Sequence, residues 1–234
     1  MKELQGRSVW LLASSPLQLT VFEPMQKIVV TPTNNTKELI LDVAERLFAG
    51  RGFAGTSLRS VVSEAGVNLA AVHYHFGSKE ELFRAVVKRF ADPIVEQELA
   101  LLHQLQVLSE VPSVEAILTA VLRPNLELLA RDQDKLVVRA QLMGRCRTEP
   151  EPIQTIAAQE FTMSIEAFVD VLQRTLPEQS RSQLYWKLDL VIAVLIRVQS
   201  EAGQTYALLK STDPEDIQTA IEQLVKFLSP GMRL

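Results

Sequence analysis

Two histidines separated by a single residue, His73 and His75, are the first side chains in this sequence that suggest chemistry. On a β-strand, residues two apart point to one face, and an H-x-H pair can then hold a metal ion. On an α-helix the same side chains diverge by about 200° and cannot share an ion. The chemistry of the pair therefore depends on the element that carries it.

The residues around the pair predict a helix. Asn68 is a favourable N-cap, and Gly77 can end the helix with a positive φ. A second short helix precedes it, with Thr56 or Ser57 as its cap and Gly66 at its end. The two short helices are thus joined by a tight turn at Gly66.

Longer helices are predicted on both sides of this pair. The preceding helix has Asn35 as N-cap with Glu38 at the capping-box position, and Ser78 with Glu81 opens a following helix in the same way. Two short helices supported by a longer one form a helix-turn-helix arrangement. The histidines then diverge on a helix, and no metal site is predicted.

Composition and charge agree with a helical protein that has a basic N-terminal part. The chain has 234 residues, 47% of them apolar, and a formal net charge of -4. Residues 33–90 contain 8 Lys and Arg against 6 Asp and Glu, whereas residues 91–234 contain 13 against 20. The N-terminal part therefore suits contact with phosphates. Cys146 is the single cysteine, which excludes an intramolecular disulfide.

The first 32 residues are expected to be a poorly ordered extension. An apolar stretch follows Lys2 and Arg7, but Pro16 and neighbouring polar residues interrupt it, unlike a signal peptide. Translation starting at Met25 is a hypothesis that N-terminal mass spectrometry can test. No later apolar run reaches the roughly 18 residues of a membrane span.

Further helices are predicted throughout the rest of the chain, which indicates an all-α protein. They cover residues 114–130, 135–143, 153–176, 182–204 and 214–228, separated by proline-containing segments. Residues 188–196, LDLVIAVLI, are apolar around nearly the whole helix. Such a helix must be covered on several sides, by its own domain or by a second subunit.

Residues 36–83 resemble the N-terminal DNA-binding domain of the TetR/AcrR family of bacterial transcriptional repressors. The resemblance is carried by LFAGRGF, GTSLRSV, EAGVN and YHFGSKEELF, with His73 where asparagine is common. It implies a homodimer that places two N-terminal domains in successive major grooves of a palindromic operator. It also implies a small-molecule pocket in the C-terminal helices and dimerisation through the last two. YWKLDLVIAVL is similar to the start of the dimer helix in several members.

These observations divide the chain into three parts and predict a set of DNA contacts. The expected parts are the extension of residues 1–32, the helix-turn-helix domain of residues 33–80 and a ligand-binding and dimerisation domain of residues 81–234. The predicted DNA-binding residues are Thr56, Ser57, Arg59, Asn68, Ala70, Ala71, His73, Tyr74, His75 and Lys79.

Each predicted contact has a reason and a structural alternative. Small side chains at Ala70 and Ala71 let the backbone approach bases, and Tyr74 can reach a phosphate or a base. The Thr56 hydroxyl can cap its helix and face a phosphate at the same time, and His75 is equally compatible with a phosphate contact and with a half-buried packing position. Ser57 and Arg59 open the helix that would cross the DNA backbone, with capping and a solvated charge as their alternatives.

The C-terminal part offers weaker candidates. Asp189 interrupts an apolar helix and either recognises a cationic ligand or forms an ion pair within its helix or between subunits. Cys146 is interpreted as an ordinary thiol. Polar residues that can line a cavity are Arg139, Gln141, Arg145 and Gln199. Residues expected in the core are Phe161, Phe168, Trp186, Met143 and Met163.

The sequence therefore predicts a cytoplasmic, ligand-responsive transcriptional regulator. It is expected to bind double-stranded operator DNA as a homodimer and to leave it when a small-molecule effector binds. No enzyme, cofactor or membrane association is predicted, since no catalytic motif or phosphate-binding glycine loop occurs. Two alternatives stay open: a helical adaptor that binds protein, and an enzyme that uses a C-terminal cavity.

Overall fold

The computed structural model describes residues 34–107, 111–130 and 133–234, where all the regular structure is helical. The ten α-helices of these residues are α1 Asn34–Arg51, α2 Leu58–Ala65, α3 Leu69–Phe76, α4 Lys79–Val107, α5 Val114–Ala130, α6 Gln133–Cys146, α7 Ile153–Gln159, α8 Thr162–Thr175, α9 Arg181–Ser200 and α10 Pro214–Arg233. This architecture confirms the predicted all-α fold class. The predictions for residues 1–32, including a start at Met25, lie outside the described residues.

A first apolar core holds α1, α2 and α3 against the beginning of α4. Val61 of α2 and Val72 of α3 are fully buried, and Phe76 is 8% exposed. The Phe48 ring of α1 meets the Phe83 ring of α4 edge-on, with 5.2 Å between their centroids. Val72 and Phe76, four residues apart, thus form the buried stripe of α3, which turns the opposite side of this helix to solvent.

A second core builds the helical body from the end of α4 together with α5, α8, α9 and α10. Its buried side chains include Leu102, Leu122, Phe168, Leu188 and Ile221. Each of these helices presents an apolar stripe to its neighbours, as expected for helices packed in one domain. In the part of the chain that the structure describes, no helix is long and apolar enough to cross a membrane.

Helices α4 and α6 connect the two cores. Phe83 near the start of α4 lies in the first core, whereas Leu102 near its end lies in the second. Leu142 and Cys146 of α6 also pack in the first core, and α6 contacts α9, a helix of the second core. A shift of either helix would therefore act on both parts of the molecule. The domain boundary predicted between residues 80 and 81 falls in the first turn of α4 and stays a prediction.

The single helix predicted over residues 153–176 is wrong. The segment forms α7, which ends at Gln159, and α8, which begins at Thr162. Ile156 of α7 packs in the first core, whereas Phe168 of α8 packs in the second. The break lets the two segments bury their apolar faces in different directions, and neither glycine nor proline marks it in the sequence.

Other helix ends differ by a few residues from the predictions. The first helix begins at Asn34, so that Asn35 lies inside it and not at its cap. Helix α9 ends at Ser200, before a turn in which Gly203 has a φ of 80°. Helix α10 continues to Arg233, with Pro230 in its last turns. Such ends depend on tertiary contacts more than on local sequence.

The turn between α2 and α3 depends on a left-handed residue, Gly66. Its φ is 64° and its ψ 28°, and a Cβ there would meet nothing within 4 Å. We expect Gly66→Ala to lower the free energy of unfolding by about 1–2 kcal/mol, since alanine resists this conformation. Denaturant unfolding measures the change.

Gly50 gives a matched control for this substitution. It lies within α1, and a Cβ there also meets nothing within 4 Å. Gly50→Ala should leave stability unchanged or raise it by roughly 0.5–1 kcal/mol, because alanine favours helix. Equal stability of the Gly66 variant and the unsubstituted protein would contradict the argument.

Candidate nucleic-acid interface and helical cavity

Side-chain caps fix the beginnings of α2 and α3. The Ser57 hydroxyl accepts a hydrogen bond of 3.0 Å from the Ser60 backbone N–H, and the Ser60 hydroxyl accepts one of 3.1 Å from the Ser57 N–H. At α3, Asn68 Oδ1 accepts a hydrogen bond of 2.8 Å from the Ala71 N–H. These caps confirm the predicted helix starts at Ser57 and Asn68. Both caps are exposed, with their helix N-termini facing solvent.

The exposed side of α3 combines one aromatic side chain with small and polar ones. Tyr74 is 84% exposed, and Ala70 and His73 are also exposed. Ala71 and His75 are half-buried. The side chains of Ala70 and Ala71 at the start of α3 are small, so this end of the helix can enter a groove. The exposed phenol of Tyr74 can donate a hydrogen bond there.

The two histidines do not form a metal clip. His73 Nδ1 lies 2.8 Å from the carbonyl oxygen of Gly77, and it must donate because a carbonyl only accepts. His75 instead packs edge-on to Tyr74, with 5.1 Å between ring centroids. Among the described residues, no group of three or more His, Cys, Asp or Glu side chains is arranged to hold a metal ion.

Two predicted DNA contacts are placed differently from the rest. Thr56 is 1% exposed, and its hydroxyl donates a hydrogen bond of 2.9 Å to the Gly52 carbonyl. This placement favours the structural alternative for Thr56, and its predicted phosphate contact stays a prediction. Lys79 is half-buried, with its ammonium 4.0 Å from the Phe53 ring centroid, and burial lowers its pKa despite the nearby Glu80 and Glu149 carboxylates.

Apart from the half-buried Ala71 and His75, the remaining predicted residues are exposed. Arg59 and Ser57 are exposed near the start of α2, and Asn68 is exposed at the start of α3. Ala70 and Tyr74 are also exposed, so that both helices of the helix-turn-helix carry predicted residues in contact with solvent. These side chains are therefore accessible to a DNA duplex.

A cluster of charged side chains joins the helix-turn-helix to the body. Glu45 of α1 is 2% exposed and forms ion pairs with Arg89 of α4 and with Arg139 of α6, the latter at 3.0 Å. Asp42, one turn earlier, lies 2.9 Å from Arg89 Nη1 and 3.0 Å from Lys135 Nζ. Helices α1, α4 and α6 are therefore linked through neutralised charges.

A cavity of about 810 Å³ lies in the helical body. Its walls come from α4 through α9 and are mainly apolar, with Ile94, Met143 and Ile192 among them. Cavities of this size and character typically accept small organic ligands. Arg139, Asp189 and Gln199 line it as the sequence suggested, whereas Gln141 and Arg145 lie outside it.

Asp189 is not buried and does not pair within its own helix. Its carboxylate is 57% exposed and pairs with Arg147, which follows α6 in the same chain. The pair predicted within the helix is therefore wrong in its partner, and a pair between subunits stays a prediction. Cys146 also lines the cavity, and burial raises the pKa of its thiol to about 12, which keeps it protonated.

Glu98 of α4 is a cavity residue that the sequence reasoning missed. It is 5% exposed and accepts a hydrogen bond of 2.9 Å from Asn125 Nδ2. Burial raises its pKa to about 7, and hydrogen bonds from Ser164 and Asn125 only partly oppose this. The signal was its spacing, because Glu98 lies four residues after Ile94 and four before Leu102 on one apolar stripe.

Apolar side chains remain exposed on the last two helices. Trp186 and Leu190 of α9 are 52% and 53% exposed, and Phe227 of α10 is 74% exposed. The prediction that Trp186 lies in the core is wrong, as is that for Met163, which is 64% exposed. Phe168 is buried, and Phe161 and Met143 pack partly buried against the first core.

Two family models together match most of the described chain. Residues 40–86 match the model of bacterial regulatory proteins of the tetR family, and residues 119–231 match the tetracyclin repressor-like C-terminal domain. The HTH-type transcriptional repressor AcnR of Corynebacterium glutamicum is 34% identical over 119 residues, which is 51% of this chain and 54% of that protein. The HTH-type transcriptional repressor BepR of Brucella suis is 32% identical over 111 residues, 47% of this chain and 51% of that protein. The chain thus spans about half the length of the curated relatives it matches.

Solved structures share the fold at low sequence identity. The fatty acid degradation regulator FadR of Bacillus halodurans superimposes with a TM-score of 0.60 at 16% identity, over 86% of this chain and 97% of that one. FadR of Bacillus subtilis in complex with stearoyl-CoA gives 0.55 at 15% identity, over 83% and 98%. At these identities the likeness concerns the fold and not the ligand.

Proposed function

Because this chain belongs to the TetR family of bacterial regulatory proteins, we propose that it is a ligand-responsive transcriptional repressor. It binds palindromic operator DNA as a homodimer and is released when a small molecule enters the helical cavity. The observation that carries the proposal is the solvent-facing side of α3, where Tyr74 is 84% exposed beside the small Ala70. A repressor of this kind acts in the cytoplasm, without a cofactor or a metal ion.

The proposed DNA contacts divide into two kinds. Ala70, Ala71, His73 and Tyr74 of α3 approach the major groove, and His75 lies beside them. Ser57, Arg59 and Asn68, at the starts of α2 and α3, contact phosphates, and Lys79 does so if its ammonium leaves the Phe53 ring. Contacts to phosphates position the protein, and contacts to base edges select the sequence.

Release follows from a linked equilibrium between the cavity and the DNA-binding helices. Arg139 of α6 lines the cavity and also pairs with Glu45 of α1. Glu98 lines the cavity on α4, the helix that is separated from α3 by only two residues. A ligand that favours another position of these helices changes DNA affinity, and a coupling of about 1–3 kcal/mol alters it roughly 5- to 150-fold.

The exposed apolar side chains of α9 and α10 support dimerisation through the last two helices. Trp186 and Leu190 are four residues apart and share one face of α9, and Phe227 adds an apolar side chain on α10. Pairing these faces across a two-fold axis would remove them from water and cover the apolar helix of residues 188–196.

This arrangement predicts that Leu190→Glu weakens the dimer. An unpaired carboxylate placed in an apolar contact should raise the dimer dissociation constant roughly 10-fold or more. Sedimentation velocity over a range of protein concentrations measures it. Met163→Glu is the control, because Met163 is also exposed but lies on α8. Equal dissociation constants for the two variants would place the interface elsewhere.

Selection of bound fragments from a genomic DNA library tests the proposed function. An enriched palindrome with half-sites about one helical turn apart, roughly 34 Å, is the expected result. No enriched sequence, together with stable binding of a protein, would instead favour the helical adaptor. Turnover of a candidate metabolite would favour an enzyme that uses the cavity. The genes beside the recovered sites would also indicate the class of effector.

A further inference from the structure

Of the charged side chains that line the cavity, all but one form an ion pair. Arg139 pairs with Glu45 at 3.0 Å, Arg147 pairs with Asp189, and Glu166 pairs with Arg181 at 3.0 Å. Glu98 is the exception, because no cation of the described residues pairs with it. Its neighbours at hydrogen-bonding distance are the neutral side chains of Asn125 and Ser164.

Burial makes an unpaired Glu98 carboxylate energetically unfavourable in the protein without a ligand. The side chain is 5% exposed, on a wall otherwise built from residues such as Ile94 and Val121. A buried carboxylate without a cation either loses its proton at a high cost or stays neutral. A cation that entered the cavity would remove this cost, whereas an anion would increase it.

We infer that Glu98 is the recognition group for an apolar organic cation, whose charge meets the carboxylate while its carbon skeleton fills the cavity. The inference deepens the proposed function and rests on it in taking the cavity to be the effector site. The two wall arginines argue against an anionic ligand, since each already pairs with a carboxylate. About 810 Å³ accommodates a multi-ring cation.

The site also connects the ligand with helices that lead to the DNA. The side chain of Asn125 on α5 donates a hydrogen bond to Glu98. The backbone carbonyl of the same residue accepts a hydrogen bond of 3.2 Å from the side chain of Gln199 on α9. Glu98 itself is on α4, 19 residues after Lys79. A cation held at Glu98 therefore contacts the helix that follows α3 and, through Asn125, a helix that carries the exposed apolar face.

Calorimetric titration of the full chain with two ions of equal shape tests the inference. Tetraphenylphosphonium is a cation and tetraphenylborate an anion of nearly the same size, so that their difference in affinity reports charge. We expect the cation to bind at least 10-fold more tightly than the anion. Equal affinity, tighter binding of the anion, or no binding of the cation would overturn the proposal.

Glu98→Gln then assigns the preference to one residue. Glutamine keeps the shape and can still hydrogen-bond with Asn125, but it removes the charge. The variant should bind tetraphenylphosphonium roughly 30-fold or more weakly. Glu166→Gln, at an exposed position of the same cavity, should change affinity less than about 2-fold. Unchanged affinity in the Glu98 variant, with thermal unfolding that shows it folded, would refute the assignment.

These titrations contain no DNA, so their failure is separate from failure of the proposed function. A protein that selects a palindrome but does not prefer the cation would remain a repressor with another effector. If the protein prefers the cation through Glu98 but selects no DNA, the cation site is supported and the repressor function is contradicted.

Discussion

Replacing Tyr74 with alanine is expected to weaken operator binding by about 1.5–3 kcal/mol for each copy of the chain in the complex. This corresponds to a factor of roughly 10 to 150 per copy. The phenol of Tyr74 is 84% exposed on α3, where it can donate a hydrogen bond to a phosphate. Titration of a labelled operator at fixed salt measures the loss, because phosphate contacts depend on ionic strength. Little stability should be lost, since exposed side chains contribute little to the core.

Tyr206 supplies a matched control for this change. It is 75% exposed, outside the helix-turn-helix, and its hydroxyl lies 3.4 Å from a Glu201 carboxylate oxygen. Tyr206→Ala should leave operator affinity within about 2-fold, because it removes an equally exposed phenol far along the chain from α3. Equal affinities of the two variants would exclude Tyr74 from the interface, even if DNA binding itself is confirmed.

The helix-turn-helix was predictable because its signals are local. The capping serine at 57, the turn glycine at 66 and the capping asparagine at 68 each act within four residues. The four-residue spacing of the apolar Val72 and Phe76 then sets which side of α3 is buried, and Tyr74 lies on the exposed side. Thr56 could not be placed in this way, because its burial depends on how the end of α1 packs against the turn.

Features that depend on tertiary packing were less predictable. The break between α7 and α8 separates residues of two cores, and nothing between Gln159 and Thr162 marks it in the sequence. Trp186 is exposed although its size suggests a core position. Glu98 could have been found from its spacing on an apolar stripe, but its lack of an ionic partner in the described residues appears only once α4, α5 and α8 are packed together.

Replacing Glu45 with glutamine is expected to lower the free energy of unfolding by about 3 kcal/mol. The carboxylate is 2% exposed and faces two guanidinium groups, Arg89 of α4 and Arg139 of α6. Glutamine cannot neutralise either, so two partly buried cations lose their shared anion. Asp42 still pairs with Arg89 at 2.9 Å, which keeps the loss near the lower end of the range for broken buried pairs. Denaturant unfolding measures it.

The same experiment on Glu38 separates burial from charge. Glu38 is also on α1 and lies 3.3 Å from the same Arg89, but its side chain is 58% exposed. Glu38→Gln removes an equal charge from an equal partner and should cost less than about 1 kcal/mol, because water already screens that pair. If both variants lost the same stability, the effect would come from net charge on α1. A large loss confined to Glu45 would instead identify a buried link between α1 and α6, through which a ligand beside Arg139 can act on the DNA-binding helices.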